Sequence, residues 1–217
     1  DVCAYAVMSN HAHTVLKLNP EAARRWSTDE ILERWSHLFS GPLVVQRYMA
    51  GERLDSGEYR SVVEFAEIWR ERLTDLSRFI RCLNEPIARW ANTEDECTGR
   101  FCEGRFKSQA LLDEQGPLAC MAYVDLNPIR AGIADTPEAS DFTSIQQRIR
   151  ELAGDCYPAE PQETLDQAIP RLLCFAGRTD DDSGLPFCLD DYLKLVDWSG
   201  RAIHPGKVTT HPLRDFP

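Results

Sequence analysis

Along the first eighteen residues the apolar positions gather into two short runs, CAYAV over Cys3–Val7 and HAHTVLKL over His11–Leu18, separated by Met8-Ser9-Asn10. Runs of this length, bounded by Ser and Asn whose side chains bond their own backbone, predict two strands meeting at a tight turn. Their alternation is imperfect, as in a sheet covered on both faces. From Ser27 the spacing changes. Ser27 and Glu30 match a capping box, and Ile31, Leu32, Trp35, Leu38 and Phe39 recur at helical intervals up to a predicted stop at Gly41-Pro42. A second helix is expected over Val44–Tyr48, then a polar loop over Gly51–Gly57. Val62, Phe65, Ala66, Trp69, Leu73, Leu76, Phe79, Ile80 and Leu83 form the apolar stripe of one long helix, with Pro86 as a candidate kink. Aromatics at this spacing read as core rather than as a cofactor box.

Phe106–Leu112 (FKSQALL) reads as a third strand. Asp113 and Pro117 then open a helix that runs to about Leu126 and stops at Asn127-Pro128, with Gly132 closing the unit. Beyond Asp135 one amphipathic helix is expected over Phe142–Leu152, a linker over Gly154–Glu163 with Pro158 and Pro161, a short helix over Asp190–Val196, and a basic, proline-containing tail.

Composition narrows the classes. At 217 residues, 43% hydrophobic and 27% charged, the chain has ordinary globular material for one domain plus an appendage, or two small domains. No run approaches the ~18 apolar residues of a membrane span, and there is no secretory leader pattern, so no membrane partner is expected. Eight cysteines are scattered without a CxxC pair, which disfavours a zinc ribbon and suits reduced thiols in a cytoplasm. The net charge of −11 argues against a protein that simply coats DNA, yet it leaves room for a local basic groove. The text opens at Asp1 directly on strand-like sequence, which predicts a piece of a longer domain.

Three groups of residues carry chemistry. His11-Ala12-His13 would put two imidazoles on one strand face, roughly 6–7 Å apart at the backbone, and neutral imidazole binds divalent metals. Tyr123 and Asn127 are four apart on the expected helix and share a face. Tyrosine can serve as a covalent nucleophile, weak at its ordinary pKa of about 10 and aided by a metal on the electrophile; the Asn127 amide oxygen could join the same metal. Arg100, Arg105 and Lys107 interleave with Phe101 and Phe106, the pairing of phosphate contacts with stacking surfaces that single-strand binders use.

Together these residues resemble the single-tyrosine HUH transposases, the REP-associated and insertion-sequence group. YAVMSNHAHTVL is similar to that family's strand, turn and strand ending in His-hydrophobic-His. GRFCEGRFKSQALLDE is similar to its Gly-x-x-Trp-x-x-x-Phe stretch, and MAYVDLNPIRAGIA to its Tyr-x-x-x-Asn-Pro-x-Arg-Ala-Gly helix. The three come in the family's order and cover roughly residues 2–135. The resemblance implies an α+β fold with an antiparallel ferredoxin-like sheet packed with helices. It implies a catalytic domain over 1–135 lacking its first strand and helix, with a helical insertion at about 20–75, and leaves 136–217 as a mostly helical C-terminal extension.

It implies His11, His13 and Asn127 as ligands of Mg2+ or Mn2+, and Tyr123 as the nucleophile. Arg100, Arg105, Lys107 and Arg130 would contact single-stranded or hairpin DNA, in a bacterial cytoplasm, with the protein a monomer or a homodimer. The chemistry would be DNA cleavage and rejoining through a 5′-phosphotyrosine, without ATP; no P-loop pattern occurs. Cys102 stands where the family often has Trp, and 109 residues separate His13 from Tyr123, more than a minimal member needs. Three other readings compete. A non-catalytic nucleic-acid-binding relic would leave no covalent adduct. A hydrolase using water would want a carboxylate beside the histidines, which the strand lacks. A helical interaction protein would rest only on the acidic charge and the amphipathic helices.

Overall fold

The computed structural model describes residues 1–113, 115–154, 172–177 and 184–203. The fold is α+β, mostly helical, with one two-stranded antiparallel sheet among the described residues. The chain divides into two compact units: Asp1–Lys17 with Ala110–Pro217, and Leu18–Gln109 between them. The middle unit is therefore longer than the insertion of about 20–75 expected from sequence. The expected linker beyond Gly154 and the terminal tail lie outside the described residues.

In the first unit, strands β1 (Val2–Val7) and β2 (Ala12–Leu16) form the expected hairpin, in register Tyr5↔Thr14, Ala6↔His13 and Val7↔Ala12. The Met8 N–H donates to the His11 carbonyl at 2.9 Å and closes the turn. Helix α6 (Gly116–Asp125) packs on both strands. It is followed by the single turn α7 (Asn127–Arg130), by α8 (Ser144–Leu152), which packs on β1, and by α9 (Leu189–Ile203), which packs on α6. One core joins Cys3, Ala4, Ala6 and Val15 of the hairpin to Met121, Val124 and Leu126, to Ile145, and to Tyr192, Leu193 and Val196. Residues beyond 136 thus share the hairpin's core.

The middle unit holds α1 (Pro20–Arg25), α2 (Thr28–Ser36), α3 (Leu43–Met49), α4 (Ser56–Leu73) and α5 (Leu76–Glu94). Capping boxes start α2, with Ser27 and Glu30, and α4, with Asp55 and Glu58. Ile31, Leu32, Trp35, Val45, Val62, Ala66 and Trp69 make its core, with Trp35 stacked on Trp69 at 4.7 Å.

Four expectations need correction. Helix α2 ends at Ser36, ahead of Gly41-Pro42, because its last turn tightens and the Leu38 and Phe39 N–H groups both donate to the Trp35 carbonyl. The single long helix is two, broken at Thr74-Asp75, where the Asp75 carboxylate caps the Arg78 N–H at 2.8 Å and starts α5 afresh. Pro86 sits inside α5, and none of the apolar stripe on that helix is buried: Phe79 and Leu83 belong to no core.

Finally, 106–112 forms no strand. A strand must bond its backbone to a neighbour, and β1's outer edge is met instead by Phe142-Thr143 near Ala6 and by Leu172-Leu173 at Val2. The segment also lacks apolar burial to hold it, Leu112 being 93% exposed.

A candidate histidine–tyrosine site

The site assembles on the face of the hairpin that meets α6. In β2, His13 and the buried Val15 point toward α6 while Ala12 and Thr14 are exposed, the period of two that a half-covered strand requires. Helix α6 is apolar nearly all round: Met121, Ala122, Val124 and Asp125 are buried, and Gly116, Pro117, Leu118 and Cys120 are partly so. Tyr123, like Ala119, is exposed, and its ring lies edge-on to His13 at a centroid distance of 6.4 Å. His11 and His13 lie 4.9 Å apart, their planes at 86°. His11 was expected on the strand; it occupies the last position of the turn, one residue before β2, and its ring still reaches His13.

Two features suit the histidine pair to a cation. His11 Nδ1 lies 2.6 Å from Asn10 Oδ1. An amide oxygen accepts only, so Nδ1 carries the hydrogen, and in the neutral ring that tautomer leaves the lone pair on Nε2. Burial, and then the neighbouring His11, lower the pKa of His13 and favour its neutral form. Among the described residues no group of three His, Cys, Asp or Glu side chains converges.

The Asn127-Pro128 step interrupts the helix after Asp125. Pro128 has no N–H to continue the helical ladder, and the chain resumes as the single turn of α7, which ends against Gly132 in the left-handed conformation (φ 71°). This turn carries Arg130 back over the Tyr123 ring, guanidinium carbon to centroid 5.2 Å. Asn127 does not repeat the exposure of Tyr123: it opens α7 beyond the interruption and is buried, at 9% exposure. Arg100, Arg105 and Lys107, with Phe101 and Phe106, lie on exposed irregular backbone of the other unit. Ring contacts thus bring together His11, His13, Tyr123 and Arg130 of the expected residues.

Sequence reasoning missed the residue beneath this site. Asp125 is fully buried and accepts hydrogen bonds from the Ser144 hydroxyl, the Ile145 N–H at 3.0 Å and the Tyr192 hydroxyl. Burial pushes its carboxyl up to about 6, against the pull of those donors and of Arg148. The signal was present as the lone charge in the apolar run GPLACMAYVDL.

Comparison with protein-family models finds no match, and neither does comparison with curated proteins or with solved structures.

Proposed function

We propose that this protein is a metal-dependent single-strand DNA transposase or endonuclease of the HUH type, with Tyr123 as nucleophile and the hairpin as part of a ferredoxin-like sheet. The observation that carries the reading is the meeting of Tyr123 with His13, 110 residues apart in the chain and edge-on to each other in space. The resemblance of YAVMSNHAHTVL and MAYVDLNPIRAGIA to that family concerns the same two segments.

His11 and His13 would hold Mg2+ or Mn2+, joined by Asn127 as the resemblance implies. The cation, when bound, would draw charge from a scissile phosphate and orient it. Tyr123, an exposed side chain of α6, can reach a phosphate at the hairpin surface. Its oxygen bonds to phosphorus as the P–O bond to the 3′ oxygen of the preceding nucleotide breaks. The phenolic proton leaves to solvent and the freed 3′ oxygen takes one up. Arg130 stands beside the ring, placed to pair with the phosphate's charge. Attack by a second 3′-OH on the phosphotyrosine reverses these bond changes and joins another strand, so no ATP is consumed. Arg100, Arg105 and Lys107 are assigned to contacts with the strand's backbone.

The test is a denaturing gel of the protein with Mn2+ and a pool of hairpin-bearing single-stranded DNA. A covalent adduct is expected from the wild type and not from Tyr123→Phe, and a chelator should abolish it. An adduct that survives in Tyr123→Phe would eliminate the tyrosine mechanism. Binding without any adduct would leave the non-catalytic relic in its place.

A further inference from the structure

On an α-helix, residues two apart project to nearly opposite sides, about 200° round the axis. Tyr123 faces outward to the hairpin's histidine end, and Asp125 accordingly faces into the core. There it meets two hydroxyls from the C-terminal part of the chain. Ser144 of α8 donates to Asp125 and is itself bound to β1, accepting from the Tyr5 N–H at 2.9 Å and lying 3.3 Å from the Tyr5 carbonyl. Tyr5 adjoins Ala6, the partner of His13 in the hairpin register. Tyr192 of α9 donates to the other carboxylate oxygen, and its ring packs on Phe175 at 5.2 Å. Burial raises the Tyr192 hydroxyl well above its ordinary value, so it remains a donor.

We propose that Asp125 and Tyr192 are positioning residues for Tyr123: the C-terminal helix α9 and Ser144 of α8 grip the one carboxylate of α6 and thereby fix the rotation at which that helix presents Tyr123 to the histidines. The inference rests on the reading of Tyr123 as the nucleophile. Apolar packing alone would hold α6 against the hairpin while tolerating small rotations and slides; directional bonds to a buried charge define one arrangement. The C-terminal segment is then a working part of the catalytic unit.

Tyr192→Phe removes one hydroxyl and keeps the ring. At saturating DNA its rate of adduct formation should fall about 10- to 100-fold, the effect of a small misplacement of a reacting group, while the DNA concentration for half-saturation stays unchanged. Asp125→Asn keeps an acceptor oxygen and should give a smaller fall. Hydrogen exchange, read in parallel without DNA, should quicken in Gly116–Asp125 of Tyr192→Phe and stay unchanged in Leu43–Met49, which also establishes that the variant is folded. Unaltered exchange in Gly116–Asp125 would overturn the anchor. Faster exchange with a wild-type rate would overturn positioning and leave Tyr192 a structural residue. Faster exchange with no adduct even from the wild type would sink the nuclease reading while the anchor stood.

Discussion

The two units of this protein build their interiors on different principles. Every buried polar residue among the described ones, Asp125, Asn127, Ser140, Thr143, Ser144, Gln146, Gln147 and Arg148, belongs to the unit that carries the histidines and Tyr123. The core of the middle unit is apolar, centred on the Trp35–Trp69 stack. Apolar contacts are non-directional and tolerate substitution of similar volume. Buried hydrogen bonds to charges are directional and costly to disturb. The contrast teaches where geometry matters: the unit with the candidate chemistry is pinned by Asp125, and by Arg148, whose guanidinium donates to the carbonyls of Cys3 and Leu173 at 2.9 and 3.1 Å.

The comparison can be broken most forcefully at Trp69. Trp69→Ala empties space beside Trp35 and Phe65 and should cost about 3–5 kcal/mol in denaturant unfolding, while the adduct formed per folded molecule stays at the wild-type level. A lower rate in the folded fraction would mean that the apolar core also serves the site.

The next effect separates the units by pH. Asp125 carries a folded pKa of about 6 against an ordinary 3.8, so the folded state holds that proton more tightly. Stability from this group is full below about pH 4 and is lost as pH rises to about 6. At ~1.4 kcal/mol for each pH unit between the two values, the change is about 3 kcal/mol. In the middle unit the sign reverses. The Ser27 N–H holds Glu30, and the Asp55 N–H holds Glu58, below the usual carboxylate range. Their contribution is present above the unfolded value of 4.5 and is lost as pH falls. Melts of Asp125→Asn against wild type across pH 4–7 should show the gap between the two closing toward low pH; parallel curves would refute the assignment. The smallest effect sharpens the local end: Ser27→Ala should remove about 1 kcal/mol through loss of the cap, with the adduct unchanged.

Much of the middle unit was legible because its helices are specified locally. Ser27 with Glu30 and the 31–35 periodicity sit within a few residues of one another, and the helix forms where they say. The Thr74-Asp75 break was equally local but was masked, since apolar spacing ran through it while only the Asp75 cap contradicted it. The exposed stripe on α5 shows the limit of periodicity, which reports which residues share a face and not whether anything covers it. In the other unit the hairpin was legible from alternation and turn chemistry, and the histidines and Tyr123 from their motifs. Their support was not: Asp125 meets Tyr192, 67 residues on, and Ser144 meets Tyr5 across 139. No short window contains both partners of such a bond. The expected strand over 106–112 failed for a related reason, since a strand is defined by a neighbour that its own residues do not specify.

The order in which the chain is synthesised follows from the way one unit encloses the other in sequence. His11 and His13 leave the ribosome long before the helices that fix their surroundings. At roughly 5–20 residues per second, about 9–35 s of translation separate the hairpin from Tyr192. The middle unit, built from neighbouring helices, can fold meanwhile, since local contacts close quickly. The hairpin must wait for α6, α8 and α9 to complete the core it shares with them. Nascent chains stalled once residue 109 has cleared the ribosome should therefore hold a folded middle unit beside a hairpin still lacking α8 and α9, which limited proteolysis can read.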